Sequence, residues 1–249
     1  MKNIFRKLLF IFVLFIFIFS AYKVISYYYS SFESENNFNK LEEQIITEPD
    51  STRVMSFTEK YEKLLNQNQD MVAWIKIEET KVNYPVMHTP NDEEYYLRRN
   101  FDREYEFRGT PFLNKEANLK DRDDNIIIYA HNMDDNTMFG DLKKYKNYDF
   151  YKNHKIISFE NKYENGKYEI FAVFKTVDIL DHELYIDYYN FINANDENHF
   201  NKQINLYKNA SFYETDIHPQ YGDKLLTLST CEYSNDHGRL VVVARKIEE

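Results

Sequence analysis

Residues 224–231 read KLLTLSTC, and after the seven residues EYSNDHG, residues 239–247 read RLVVVARKI. Both runs are dominated by β-branched and aliphatic side chains, and the polar segment between them is rich in turn formers. The pair therefore reads as two strands joined by a hairpin. Neither run alternates strictly between apolar and polar, so neither belongs to a sheet with one wet face. Five further stretches share this character: MVAWIKI (71–77), NYPVMH (83–88), NIIIYAH (125–131), KIISFEN (155–161) and YEIFAVFKTVDI (168–179). Strands buried on both faces imply a closed barrel or a sandwich. Turn signals at Pro90–Asn91, Arg108–Gly109 and Asn165–Gly166 separate them, and ENGK (164–167) between two strand runs predicts a hairpin.

Around these strands the sequence places helices. Val54, Phe57, Tyr61, Leu64 and Leu65 recur at helical spacing, and Ser56 with Glu59 has the pattern of a capping box. A helix is expected over about 53–67. Residues 138–153 and a long piece within 181–221 read as helical insertions. The fold class expected is mainly β with helical additions.

The first thirty residues differ from the rest. Leu8 to Tyr22, LLFIFVLFIFIFSAY, holds no charge and follows Lys2, Arg6 and Lys7. Continued through Ile25, with Lys23 reaching back to the headgroups, the run is long enough to cross a bilayer. Tyr27, Tyr28 and Tyr29 would then stand at the interface, the positive flank inside and the remainder outside. A cleaved signal peptide is the alternative, and in both cases the body is exported. The domains expected are an anchor at 1–30, a polar tether at 31–52 ended by Pro49, and a folded domain at 53–249. The whole chain of 249 residues carries 31 basic and 41 acidic side chains. All of the acidic ones lie after residue 30, which argues against nucleic-acid binding. A single Cys excludes an internal disulfide and cysteine-rich zinc sites.

Three residues carry the candidate chemistry. Cys231 is the only thiol, and it ends a strand instead of lying within one. In an exported protein an unpaired thiol is a liability unless it is used, although a lone Cys is elsewhere most often an inert core residue. His131 ends NIIIYAH, where it can face a cleft at a barrel rim. Arg239 opens the strand after Cys231, and a hairpin would return it beside the thiol. There it can offer fixed charge to an oxyanion, or simply solvate a sheet rim. DDNTMFGD (134–141) is acidic, but Met138 and Phe139 break the alternation of oxygen ligands that a calcium loop needs.

TLSTC followed by GR and a β-branched strand, with YAHNM about a hundred residues upstream, resembles the sortases, cysteine transpeptidases of Gram-positive cell surfaces. NYPVM, YYLRRNFD, MFGDL and the long insertion before the Cys strand resemble class B in particular. The resemblance covers about residues 53–249. It implies an eight-stranded β-barrel with N-terminal helices and a helix in the connection between strands six and seven. It implies Cys231 as nucleophile, His131 as general acid/base and Arg239 as stabiliser of oxyanion or substrate. Asn83, Met87, Tyr129, Ser229 and Glu232 match substrate-groove positions of the family, and Tyr185 and Ile186 are placed there by a poorer alignment. Ala130 stands where many relatives have Gly.

The reaction so implied is acyl transfer without metal or cofactor. Cys231 cleaves a C-terminal sorting motif of NPxTN or LPxTG type after Thr on a secreted protein, and a peptidoglycan amine resolves the thioester. A backbone N–H near Glu232 would assist Arg239 at the oxyanion. The alternatives are a sortase of another class and a non-catalytic surface-binding barrel. Nothing in the sequence places a carboxylate to orient His131, so a neutral imidazole at pH 7 is expected.

Overall fold

A computed structural model describes residues 2–46 and 55–247. By its internal contacts the chain divides into two units, Met1–Glu42 and Glu43–Glu249. The first is one helix, α1 (Lys2–Glu42), whose apolar part reaches a mean hydropathy of 2.6. At 41 residues it is about 60 Å long, more than a bilayer core requires. Helical structure continues to Glu42, through much of the stretch expected to be a tether. Pro49 lies outside the described residues.

In the second unit the helix expected over 53–67 is broken at Tyr61 into α2 (Phe57–Lys60) and α3 (Glu62–Gln67); positions 53 and 54 lie outside the described residues. The capping box forms: the Ser56 side chain accepts from the Glu59 amide, and the Glu59 carboxylate accepts from the Ser56 amide at 3.0 Å. At the break Tyr61 has φ −110° and ψ 17°, while its amide still donates to the Phe57 carbonyl at 2.9 Å. Its ring stacks on Trp74 at 5.5 Å and its hydroxyl donates to Glu160 at 3.0 Å.

Eight strands follow: β1 (Met71–Lys76), β2 (Asn83–Met87), β3 (Phe112–Leu113), β4 (Asn125–Tyr129), β5 (Ile156–Asn161), β6 (Asn165–Val177), β7 (Leu225–Cys231) and β8 (Gly238–Lys246). They close in the order β1-β2-β3-β4-β7-β8-β6-β5, with β1 pairing β5. The β2–β3 and β4–β7 pairs are parallel and the rest antiparallel. The eight-stranded closed barrel that the family resemblance implies is therefore present. The β5–β6 hairpin is present too, but its turn falls on Lys162–Glu164 and not on Asn165–Gly166, which are already in β6. Asn161 explains the shift: its side-chain oxygen accepts from the Tyr163 and Glu164 amides at 2.8 and 3.2 Å and makes the turn itself.

Between β4 and β5 lies the first insertion, a 3₁₀ segment (Gly140–Lys146) and then α4 (Tyr148–Asn153), parted by the capping side chain of Asn147. Between β6 and β7 lies α5 (Glu197–Ala210), capped by Asp196. Phe200, Gln203, Ile204 and Tyr207 form its buried stripe. This helix packs on the outer face of the barrel, where Ile127, Leu225, Val241 and Val243 share a cluster with it. Ile126, Ile128, Leu226, Leu228, Leu240 and Val242 alternate with those residues, point to the barrel interior and are fully buried. That double burial is why the strand runs read as continuously apolar.

Candidate active site

The same alternation that puts Leu225 under α5 carries Thr227, Ser229 and Cys231 onto the outer face of β7. Cross-strand partners share a face. Ser229 is opposite Tyr129 of β4, and Cys231 is opposite Arg239 of β8. Past the last β4–β7 pair, the Ala130 amide donates to the Ser229 carbonyl at 3.3 Å and Thr230 Oγ1 donates to the Ala130 carbonyl at 2.7 Å. Asn132 Nδ2 then donates to the Cys231 carbonyl at 2.9 Å. These bonds hold the segment bearing His131 against the end of β7. His131, Cys231, Arg239, Tyr129 and Ser229 all line one cleft of about 380 Å³.

His131 is oriented by a neutral group. Its Nε2–H donates to the Leu97 carbonyl at 2.9 Å, and its ring lies parallel to Phe107 at 6.3 Å. That bond fixes the tautomer and leaves Nδ1 as the nitrogen free to exchange a proton. Burial holds the imidazole pKa below its ordinary value; the Leu97 bond opposes this and the charge of Arg98 adds to it. Arg239 is held beside the thiol strand by its own loop and by an acid. Nη1 donates to the Gly238 carbonyl at 3.2 Å, and Nη2 stands 3.5 Å from Asp178, the residue after β6.

Other residues named from the sequence lie elsewhere. Glu232 follows Cys231 but its carboxylate turns away from the cleft, to Lys146 at 2.7 Å and Lys175 at 2.9 Å. Burial alone would raise its pKa, but those two lysines with Ser234 bring it down to about 2. Its backbone N–H donates to the Gly238 carbonyl at 2.9 Å. Asn83, at the start of β2, accepts from the Trp74 indole at 2.7 Å. Met87 is fully buried at the other end of that strand, opposite Phe112. Neither lines the cleft. Ile186 packs into the cluster under α5, and the Tyr185 hydroxyl meets that of Tyr189 at 3.2 Å. Of that segment it is Tyr188 and Tyr189 that line the cleft.

The cleft residues that sequence reasoning missed come from connections. Glu93, Glu94 and Leu97 lie on or beside the 3₁₀ segment Glu93–Arg98, and Asp178 and Tyr188 lie between β6 and α5. YYLRRNFD carries the family resemblance, but nothing in its pattern says that Leu97 forms part of the cleft wall. In the acidic stretch 134–141, Asp135 accepts from Thr137 and pairs with buried Arg108 at 3.1 Å, and Asp141 accepts from the Lys81 amide at 2.8 Å. These carboxylates serve the fold.

Comparison with known proteins gives this geometry a family. The sortase domain family matches residues 75–247. Sortase B of Staphylococcus aureus is 33% identical over 232 residues, covering 92% of this chain and 91% of that one. Sortase B of Listeria monocytogenes is 29% identical over 249 residues, covering 99% and 98%. Among solved structures, a Staphylococcus aureus sortase B–substrate complex superposes with a TM-score of 0.74 at 30% identity, covering 88% of this chain and 98% of that one. With its closed barrel and lone thiol on the rim, the chain belongs to the sortase family of cysteine transpeptidases, as a class B sortase.

Proposed function

We propose that the chain cleaves a sorting motif of NPxTN or LPxTG type after its Thr and joins the secreted protein to a peptidoglycan amine, with Cys231, His131 and Arg239 carrying the reaction. The observation that supports this assignment most directly is the register that sets Cys231 opposite Arg239 in a cleft shared with His131. Cys231 is also the only thiol that a cysteine transpeptidase of this sequence can use. The thiolate attacks the Thr carbonyl carbon, and an S–C bond forms as negative charge moves to the oxygen. Arg239, a planar multi-donor cation, takes up that charge. Collapse breaks the C–N bond, and the leaving nitrogen takes its proton from His131 Nδ1. The acceptor amine returns a proton to Nδ1 as it attacks the thioester, and sulfur leaves as thiolate. A related sortase B has been crystallised in complex with triglycine, which makes that peptide a suitable acceptor for assay. The long apolar α1 anchors the enzyme with its N-terminus inside and the barrel outside.

The test uses the full chain in detergent with fluorogenic peptides carrying NPxTN and LPxTG motifs, with and without triglycine. Cleavage, a mass shift on Cys231 matching the acyl fragment, and a triglycine-linked product are expected. All three should vanish in Cys231→Ala, a small change in volume that leaves the fold in place. Turnover by that variant would overturn the assignment.

A further inference from the structure

We propose that Tyr188 is a positioning residue for this acyl transfer, acting through the hydroxyl of Ser229; the inference rests on the reading of the cleft given above. Tyr188 comes from the connection between β6 and α5, and its ring is 3% exposed within the cluster under that helix. Its edge meets Tyr189 at 5.6 Å, and the neighbouring Asp187 carbonyl accepts from Gln203 of α5 at 2.7 Å. The ring is thus fixed by packing on one side and by the helix on the other. Its hydroxyl lies 2.7 Å from Ser229 Oγ, and both residues line the cleft.

Two buried hydroxyls joined by one hydrogen bond hold two hydrogens and use one. Among the described residues neither oxygen has another partner, so one O–H of the pair is left to face the cleft. A phenol is more acidic than an alkyl alcohol and is the better donor, so Tyr188 donates to Ser229 and the Ser229 proton is the free one. Burial pushes the Tyr188 hydroxyl up to about 12, so it remains a neutral donor throughout the working range. Ser229 lies two residues before Cys231 on the same face of β7, and both line the cleft. The Ser229 hydroxyl lines the cleft with Arg239 and is thereby a donor available to a substrate carbonyl there. Tyr188 acts on the reaction by aiming that donor.

The experiment is a double-mutant cycle on peptide cleavage by the full chain in detergent: Tyr188→Phe, Ser229→Ala and both together, each with kcat, KM and thermal midpoint. Tyr188→Phe keeps the ring and removes one neutral hydrogen bond. It is expected to lower kcat about five- to tenfold with KM within about twofold and the thermal midpoint little changed. In the Ser229→Ala background the same change is expected to have no further effect on kcat. A Tyr188→Phe enzyme with wild-type kcat, an equal loss in both backgrounds, or a loss that merely follows unfolding would overturn the inference. Cleavage that needs Cys231 but ignores Tyr188 strikes this inference alone. Absence of cleavage by the wild type, or its survival in Cys231→Ala, strikes the reading of the site and the inference with it.

Discussion

Cys231 and Arg239 stand directly opposite one another in the ladder between β7 and β8, with seven residues between them in sequence and one strand spacing between them in space. The relation is rigid because β8 is paired along its length with both β6 and β7. If the guanidinium works by planar contact with an oxyanion, charge alone cannot replace it. Arg239→Lys is expected to lose roughly 10²–10³-fold in kcat/KM, the cost of removing a preorganised donor. Steady-state cleavage measures this, and near-normal turnover would reduce Arg239 to a surface charge.

Asp178 meets Arg239 at 3.5 Å, but its side chain is 45% exposed. Such pairs contribute at most about 1 kcal/mol. Asp178→Asn keeps an oxygen acceptor for the guanidinium, so kcat/KM should move by less than about fivefold. The contrast between this variant and Arg239→Lys in one assay is the check. An equally large loss in both would mean that the carboxylate is part of the oxyanion machinery.

Glu232 fastens the base of the loop that joins Cys231 to Arg239. Its carboxylate is 8% exposed and held by Lys146 and Lys175. Its pKa of about 2, against 4.5 for the free group, means that the unfolded chain binds the proton more readily. The stabilisation is fully present above pH 4.5 and fades as pH falls toward 2. By linkage it is worth on the order of 3 kcal/mol at neutral pH. Glu232→Gln should lose about that much in urea unfolding at pH 7, and much less at pH 3. A pH-independent difference would assign the loss to packing.

Burial on both faces made the strand runs legible as a barrel or a sandwich, and the family resemblance implied the barrel. Cys231, His131 and Arg239 stand out as candidates because each sits at a strand end, where chemistry meets solvent. β3 escaped notice: Phe112–Leu113 is two residues long, and no periodicity can be read from two residues. Glu232, Asn83 and Met87 were assigned to the groove by family position, but side-chain direction depends on partners far along the chain. Lys146 and Lys175 turn Glu232 away, and the Trp74 indole holds Asn83. Tyr188 and Asp178 were invisible for the same reason. They lie in a connection whose path is set by how α5 docks, and nothing local in DILDHELYIDYY says which tyrosine turns inward.

His131 offers a test of the site by titration. Burial lowers its pKa first, the bond to the Leu97 carbonyl offsets part of that, and the charge of Arg98 lowers it further. The Arg98 guanidinium lies 4.4 Å above the Phe107 ring, whose plane is within 5° of the imidazole. With its pKa lowered, the imidazole is mostly neutral at pH 7, and the imidazolium that the proposed leaving-group step requires is a minority. Between the lowered midpoint and 6.5 the unfolded chain binds the extra proton, so acidification through that window weakens the fold at this site. The His131 ring resonance, assigned by its loss in His131→Gln, should titrate below 6.5. Arg98→Gln should raise the midpoint without bringing it to the free value, since burial remains. The acid limb of peptide cleavage should move upward with it. A wild-type midpoint at or above 6.5, or an Arg98→Gln midpoint that does not rise, would show that this electrostatic description of the imidazole is wrong.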